Sequence, residues 1–143
     1  MKHKGSCNEF IAARDNDLLR VYRRIISSVP HINIYEVAEE VANSPAKCFY
    51  VSETRALNMV RRMMKGEKLI RVLPLRKEMY EEIYRRVKEV RVKYPEKSLR
   101  DVVEVVLDQP APRFYLTKSS CLTILYRIFR KMRCKTERPK LSC

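Results

Sequence analysis

Glycine is almost missing from this chain: Gly5 and Gly66 are the only two among 143 residues. Sandwiches and barrels rely on glycine-bearing turns, and phosphate-cradling loops need glycine where backbone approaches a ligand closely. The scarcity excludes a GxGxxG or Walker-type loop and points to helices. Histidine is equally rare, with His3 and His31 alone, and the five cysteines (Cys7, Cys48, Cys121, Cys134, Cys143) show no CxxC spacing. A zinc site needs clustered ligands of these types, so no metal is expected, and no Ser/His/Asp or Cys/His set is available for nucleophilic catalysis. Unspaced cysteines, odd in number, read as reduced thiols of a cytoplasmic protein. The start MKHKGSCNEF has no apolar run behind its basic residues and does not read as a signal peptide. Nothing nears the roughly 18 apolar residues that a bilayer span requires. The expectation is a protein without enzymatic activity, cofactor or membrane association.

Acidic residues are also in short supply. Against 31 Lys+Arg stand 17 Asp+Glu, leaving a net charge of +14. Such a charge repels itself in the folded chain, and a polyanion relieves the repulsion. Nucleic acid is the commonest polyanion; an anionic membrane surface and an acidic protein are the others. The carboxylates Glu36, Glu39 and Glu40, and later Asp101, Glu104 and Asp108, recur at helical spacing on exposed faces instead of converging as a metal-dependent nuclease would require.

What the chain has in place of glycine is repetition. PAKCFYVS, Pro45 to Ser52, returns 65 residues later as PAPRFYLT, Pro110 to Thr117. ARDNDLLRVYRR (13–24) lies over LRKEMYEEIYRR (75–86) at an offset of 62, and VPHINIYEVAEEVANSPAKCFYVS (29–52) over YPEKSLRDVVEVVLDQPAPRFYLT (94–117) at 65. Tyr22/Tyr84, Arg23/Arg85, Arg24/Arg86, Val37/Val102, Val41/Val106 and Arg62/Arg127 are among the matched positions. The chain divides into a flexible N-terminus (1–9), a first three-helix repeat (10–68), a linker (69–73), a second three-helix repeat (74–133) and a basic C-terminal tail (134–143). The fold class is all-α.

Each copy has the same grammar. Leu18, Tyr22, Ile25, Ile26 and Val29 mark a first helix, matched by Tyr80, Ile83, Tyr84 and Val87, with Glu81–Arg85 and Glu82–Arg86 pairs at i,i+4. Pro30 and Pro95 stop these helices. A short second helix buries Ile34, Val37, Ala38 and Val41, or Leu99, Val102, Val103 and Val106, with Ser98 placed to cap the latter. Valine-rich DVVEVVL favours a strand by propensity, but its charges recur at helical spacing, so it is read as helix. Pro45 and Pro110 end the second helices. The pairs Phe49-Tyr50 and Phe114-Tyr115 then occupy short extended connectors, the phenylalanines as core plugs and the tyrosines at the rim. Ser52 and Thr117 have the chemistry of N-caps for a third helix, with Ser119 or Ser120 as alternatives in the second copy.

The third helix carries the functional expectation. In SETRALNMVRRMMKG, Ala56, Leu57, Val60, Met63 and Met64 form the buried stripe, while Arg55, Asn58, Arg61, Arg62 and Lys65 lie on the other side. The second copy places Lys118, Ser120, Thr123, Arg127, Arg130 and Lys131 there, with no acid from Lys118 to Arg133. Arg and Asn form bidentate hydrogen bonds with guanine and adenine edges. A bracing helix, a short helix and a basic third helix resemble the helix-turn-helix class of DNA-binding domains, here in tandem. The connection from about Ala42 to Ser52 is longer than that class's three- or four-residue turn and lacks its glycine. The resemblance implies that the third helix enters the major groove of duplex DNA while the others brace it. Asn58, Arg62, Thr123 and Arg127 would read bases; Arg55, Arg61, Lys65, Lys118, Arg130 and Lys131 would hold phosphates. Transcription regulation or a mobile-element accessory role fits, with RNA binding or an acidic protein partner as alternatives.

Overall fold

The computed structural model describes residues 7–29 and 33–141, with side chains over 10–29 and 33–134. Among the described residues the only regular secondary structure is helical: α1 (Cys7–Ile26), α2 (Ile34–Ala42), α3 (Glu53–Met64), α4 (Pro74–Lys93), α5 (Leu99–Leu107) and α6 (Lys118–Leu141). DVVEVVL is helix α5, its Val102, Val103, Val106 and Leu107 buried on one face.

Local chemistry sets the boundaries. Ser52 and Ser98 accept the backbone N–H of Arg55 and Asp101, and Thr117 accepts that of Ser120, each capping the helix that follows. Thr117, not Ser119 or Ser120, is the cap of α6. Pro74 occupies the first turn of α4, where its missing N–H is no loss, and Pro95 follows the helix's end. Helix α3 closes on Gly66 at φ +82, with Gly66 N–H bonded to Met63 O (3.0 Å) and Glu67 N–H to Arg62 O (3.1 Å). Those two bonds form a Schellman motif, which needs a residue that enters the left-handed region freely. Helix α1 starts at Cys7, three residues before its expected boundary, and α6 continues to Leu141, past the expected 133 and through Pro139. Met1–Ser6 and Pro30 lie outside the described residues.

Three details of side-chain placement differ from the expectation. Val29 lies past the end of α1 and is exposed. Met59 joins Ala56, Leu57 and Val60 in the buried stripe of α3, while Met64, at the frayed last turn, is exposed and receives Arg91 at its sulfur. On α4 no Glu81–Arg85 pair forms; Arg85 binds Glu82 and Glu89, both at 2.6 Å, and Glu82 also takes Arg86 at 2.6 Å. Glu82 is one residue closer to the side on which both arginines lie, and their hydrogen bonds hold its carboxyl below the usual carboxylate range.

The helices group across the sequence instead of along it. Helices α1 and α2 pack with α6, whereas α4 and α5 pack with α3. Among the described residues α3 makes no close backbone approach to α1 or α2, nor α6 to α4 or α5. The long connections after α2 and α5 exist because each carries its chain across to the opposite group. Where they cross, they bond to each other: Ala46 and Ala111 exchange N–H···O bonds of 2.9 and 3.0 Å in an antiparallel bridge. Phe49 N–H reaches Leu107 O, and Phe114 N–H reaches Ala42 O, each at 3.1 Å. These partners differ by 65 positions, so the crossing has an approximate two-fold axis between the alanines. The rings follow it: Phe49 stacks on Tyr115 (centroids 6.2 Å apart) and Tyr50 on Phe114 (6.0 Å). Phe49 and Phe114 are buried and the tyrosines partly so, in a single core that also contains Leu18, Ile83 and Leu125 at 0% exposure. Each such fully buried side chain stabilises the fold by about 1.5–3 kcal/mol.

The axis breaks at the anchors. Buried Asp17 on α1 accepts Lys47 N–H (2.8 Å), Tyr50 OH (2.7 Å) and Arg20 (2.6 and 2.9 Å). Burial and the bond to Asp17 push the Tyr50 hydroxyl's pKa well above its ordinary value. The second connector is tied instead by Arg86, which donates to Pro110 O (2.7 Å) and lies over the Phe49 ring (5.0 Å). Tyr115 has φ +58, an uncommon conformation for a side chain of its size.

Candidate nucleic-acid interface

Because the apolar stripe of α3 turns onto α4 and α5, its opposite side faces outward. Arg55, Asn58, Arg61, Arg62 and Lys65 are all exposed. Arg55, Asn58 and Arg62 line a cleft of about 630 Å³, together with Ser52 and Thr54 at the start of α3. The far wall comes from the α3–α4 segment and the first turns of α4: Arg71, Val72, Leu73, Arg76 and Tyr80. Four arginines therefore converge on one hollow whose lining contains no carboxylate. Arg61 and Lys65 lie outside the lining, on the exposed flank of α3.

A second hollow of about 420 Å³ adjoins the first and shares Ser52, Arg55 and Arg76 with it. Tyr50 to Ser52 border it from one connector and Phe114 to Leu116 from the other, with Arg14 of α1 opposite. Hence the lead-ins to α3 and α6 meet at the crossing, and the strained Tyr115 sits in its wall.

On α6 the expected residues have mixed settings. Lys118, Ser120, Thr123, Arg130 and Lys131 are exposed. Arg127 is half-buried and its guanidinium binds Asp15 of α1 at 2.8 Å. Thr123 donates its hydroxyl hydrogen to Ser119 O (3.0 Å), leaving only acceptor capacity outward, and the Ser120 hydroxyl accepts from Thr117 (3.0 Å). Lys131 borders a separate hollow of about 410 Å³ between α1 and α6, beside Asp15 and Arg23. Arg55, Asn58 and Arg62 of the α3 set thus share one cleft, and the α6 set is strung along a helix.

Arg62 also has a carboxylate partner, Glu67, at 3.0 Å. The Schellman turn at Gly66 brings Glu67 back over the end of α3, so the contact follows from the helix stop. Arg62 and Arg127, which match in the sequence repetition, are each held by an acid.

Sequence reasoning missed Arg71, Arg76 and Arg14. The first two lie in what reads as a linker and a bracing helix, and only folding α4 against α3 turns them toward Asn58. One sign was available: α4 opens with no acid and no polar cap, unlike α2, α3 and α5. Among the described residues no group of three His, Cys, Asp or Glu is placed to hold a metal ion, and no helix is long and apolar enough to cross a membrane. Comparisons with protein-family models, curated proteins and solved structures give no match.

Proposed function

We propose that this protein binds duplex DNA, without catalysis, through the outward faces of α3 and α6, as a regulator or as an accessory protein of a mobile element. The observation that carries the reading is the carboxylate-free cleft in which Arg55, Arg62, Arg71 and Arg76 surround Asn58. Glu67 offsets Arg62 alone; Arg55, Arg71 and Arg76 repel each other, and an anion from outside removes that cost. In this reading the chain is a duplicated three-helix unit with its third helices exchanged. Each packed group then holds one long bracing helix, one short helix and one basic helix, as in helix-turn-helix domains, although the basic helix comes from the other copy.

Roles divide by setting. Arg55, Arg61, Lys65, Arg71 and Arg76, with Lys118, Arg130 and Lys131 on α6, contact phosphates. Asn58 is free to pair with a base edge, and Arg62 and Arg127 do so after leaving their carboxylates. If about six phosphates are neutralised, affinity for duplex falls by about three orders of magnitude between 50 and 200 mM salt. A gel-shift series with duplex, structured RNA and single-strand probes measures this. Little salt dependence, or no shift of duplex beside strong capture of one acidic protein, would sink the proposal.

A further inference from the structure

The cleft between α3 and α4 is built for more than a flat phosphate backbone. Three of its arginines, Arg55, Arg71 and Arg76, have no carboxylate within ion-pair distance among the described residues. The N-terminus of α4 opens onto it as well. Its N-cap is Leu73, which makes no side-chain cap bond and itself lines the cleft, and no acid lies in the first turn. By helix geometry the N–H groups of Leu75 and Arg76 have no intrahelical acceptor, and the positive end of the helix dipole coincides with the arginines. An independent observation points to a ligand. Tyr80 is 3% exposed, lines the same cleft and forms no hydrogen bond among the described residues. The hydroxyl is not among the buried atoms left without a partner, so the little surface that Tyr80 keeps includes it, and it is open to a molecule in the cleft. Met59 and Val72 supply apolar wall, Asn58 an unbonded amide, and about 630 Å³ lies within the range of small-molecule sites.

We propose that this cleft binds a nucleoside 5′-phosphate, whether a free nucleotide or the phosphorylated 5′ end of a strand. The phosphate lies against Arg71, Arg76 and the start of α4, where charge-assisted and dipolar contacts combine. The nucleoside lies along the apolar wall, with Asn58 and Tyr80 as its polar contacts. The inference starts from the reading of α3 as a nucleic-acid surface and names the chemical unit that its cleft accepts.

Isothermal titration with AMP, adenosine and inorganic phosphate tests the unit. A single-stranded 12-mer with a 5′-phosphate, against the same 12-mer with a 5′-hydroxyl, tests its source. AMP should bind at least tenfold more tightly than adenosine or phosphate, or the 5′-phosphate should raise strand affinity at least tenfold at 150 mM salt. The first result identifies the free nucleotide, the second the strand end. Arg71→Ala and Arg76→Ala should each weaken the preferred probe about tenfold, Arg71→Lys should recover part of the loss, and Tyr80→Phe should weaken it a few-fold. Arg71 and Arg76 are exposed, so the variants keep the fold, which circular dichroism checks; Arg100→Ala on α5 removes the same charge elsewhere without effect. Equal affinity for phosphate and AMP with no effect of the strand's 5′-phosphate overturns the inference, as does absence of binding by every probe. Duplex binding that persists in that case leaves the proposed function standing. AMP binding in a protein that shifts no duplex overturns the proposed function and leaves the nucleotide site.

Discussion

Asp17 shows how much one side chain can organise. It is 3% exposed, yet it accepts a backbone N–H, a phenol and a guanidinium from three places in the chain, and so fixes the first connector to α1. Asp17→Ala leaves the part-buried Lys47 N–H and Tyr50 OH without their partner, at the low end of about 1–3 kcal/mol each. The expected loss is about 3 kcal/mol, which for a chain of this size lowers the melting temperature by roughly 6–12 °C in a thermal scan. Tyr50→Phe removes one bond of the set and should cost about 1 kcal/mol, with a double variant less than additive. A second prediction concerns Cys121, fully buried at the start of α6, whose thiol burial pushes up to about 11. Below about pH 7.5 the thiol is protonated in both folded and unfolded chains, so its contribution is whole. As pH rises from about 9 to 11 the unfolded thiol ionises first and stability falls, by roughly 2–3 kcal/mol. Tyr50 and Tyr115, both raised first by burial, act in the same direction above about pH 10. Denaturant melts at pH 8 and pH 11 should show that fall, and Cys121→Ala should make it smaller.

At the scale of the helix, the two arginines expected to read bases are restrained by acids, Arg62 by Glu67 and Arg127 by Asp15. The Arg62–Glu67 pair is exposed and the Arg127–Asp15 pair partly buried; an exposed pair is worth about 0.2–1 kcal/mol, so releasing it changes affinity by a factor of about 1.5–5. Glu67→Gln and Asp15→Asn should therefore each tighten duplex binding a few-fold in fluorescence anisotropy, and unchanged or weaker binding would contradict the role given to these arginines. Gly66→Ala acts on the same pair through backbone. Placing a Cβ at φ +82 costs about 1 kcal/mol and loosens the Schellman turn that delivers Glu67, so it should lower stability and raise affinity together. Much of this scale was legible in the sequence. Ser52, Ser98 and Thr117 mark helix starts because a short hydroxyl side chain does there what no apolar residue can. Apolar spacing identified the buried faces of α2 and α5 and assigned DVVEVVL against its strand propensity. Arg71 and Arg76 were not legible, since no periodicity within one segment records what another segment brings beside it.

At the scale of the molecule, the pairing of helices was hidden by the repetition that made the fold readable. Two stretches of similar sequence have similar apolar stripes, so the helix after each connector fits the helices before it or the other pair equally well on pattern alone. What decides is the connector, whose length spans the crossing and whose Ala46–Ala111 bridge and stacked Phe–Tyr pairs reward the exchanged route. The consequence is mutual dependence. In residues 1–68 alone, the stripe of Ala56, Leu57, Met59 and Val60 has lost α4 and α5; in 69–143 alone, Cys121, Ile124, Leu125 and Ile128 have lost α1 and α2. A chain of about 70 residues has little core to spare, burying only about 60% of its unfolded surface even when whole. Expressed separately, the fragments 1–68 and 69–143 should show no cooperative melt as monomers. Mixed at equal concentration they should form a one-to-one complex with helical content near that of the intact chain, as read by circular dichroism and light scattering. A monomeric fragment that melts cooperatively by itself would show that the third helix can fold back onto its own copy, and that the exchange is a preference of the joined chain, not a requirement of either half.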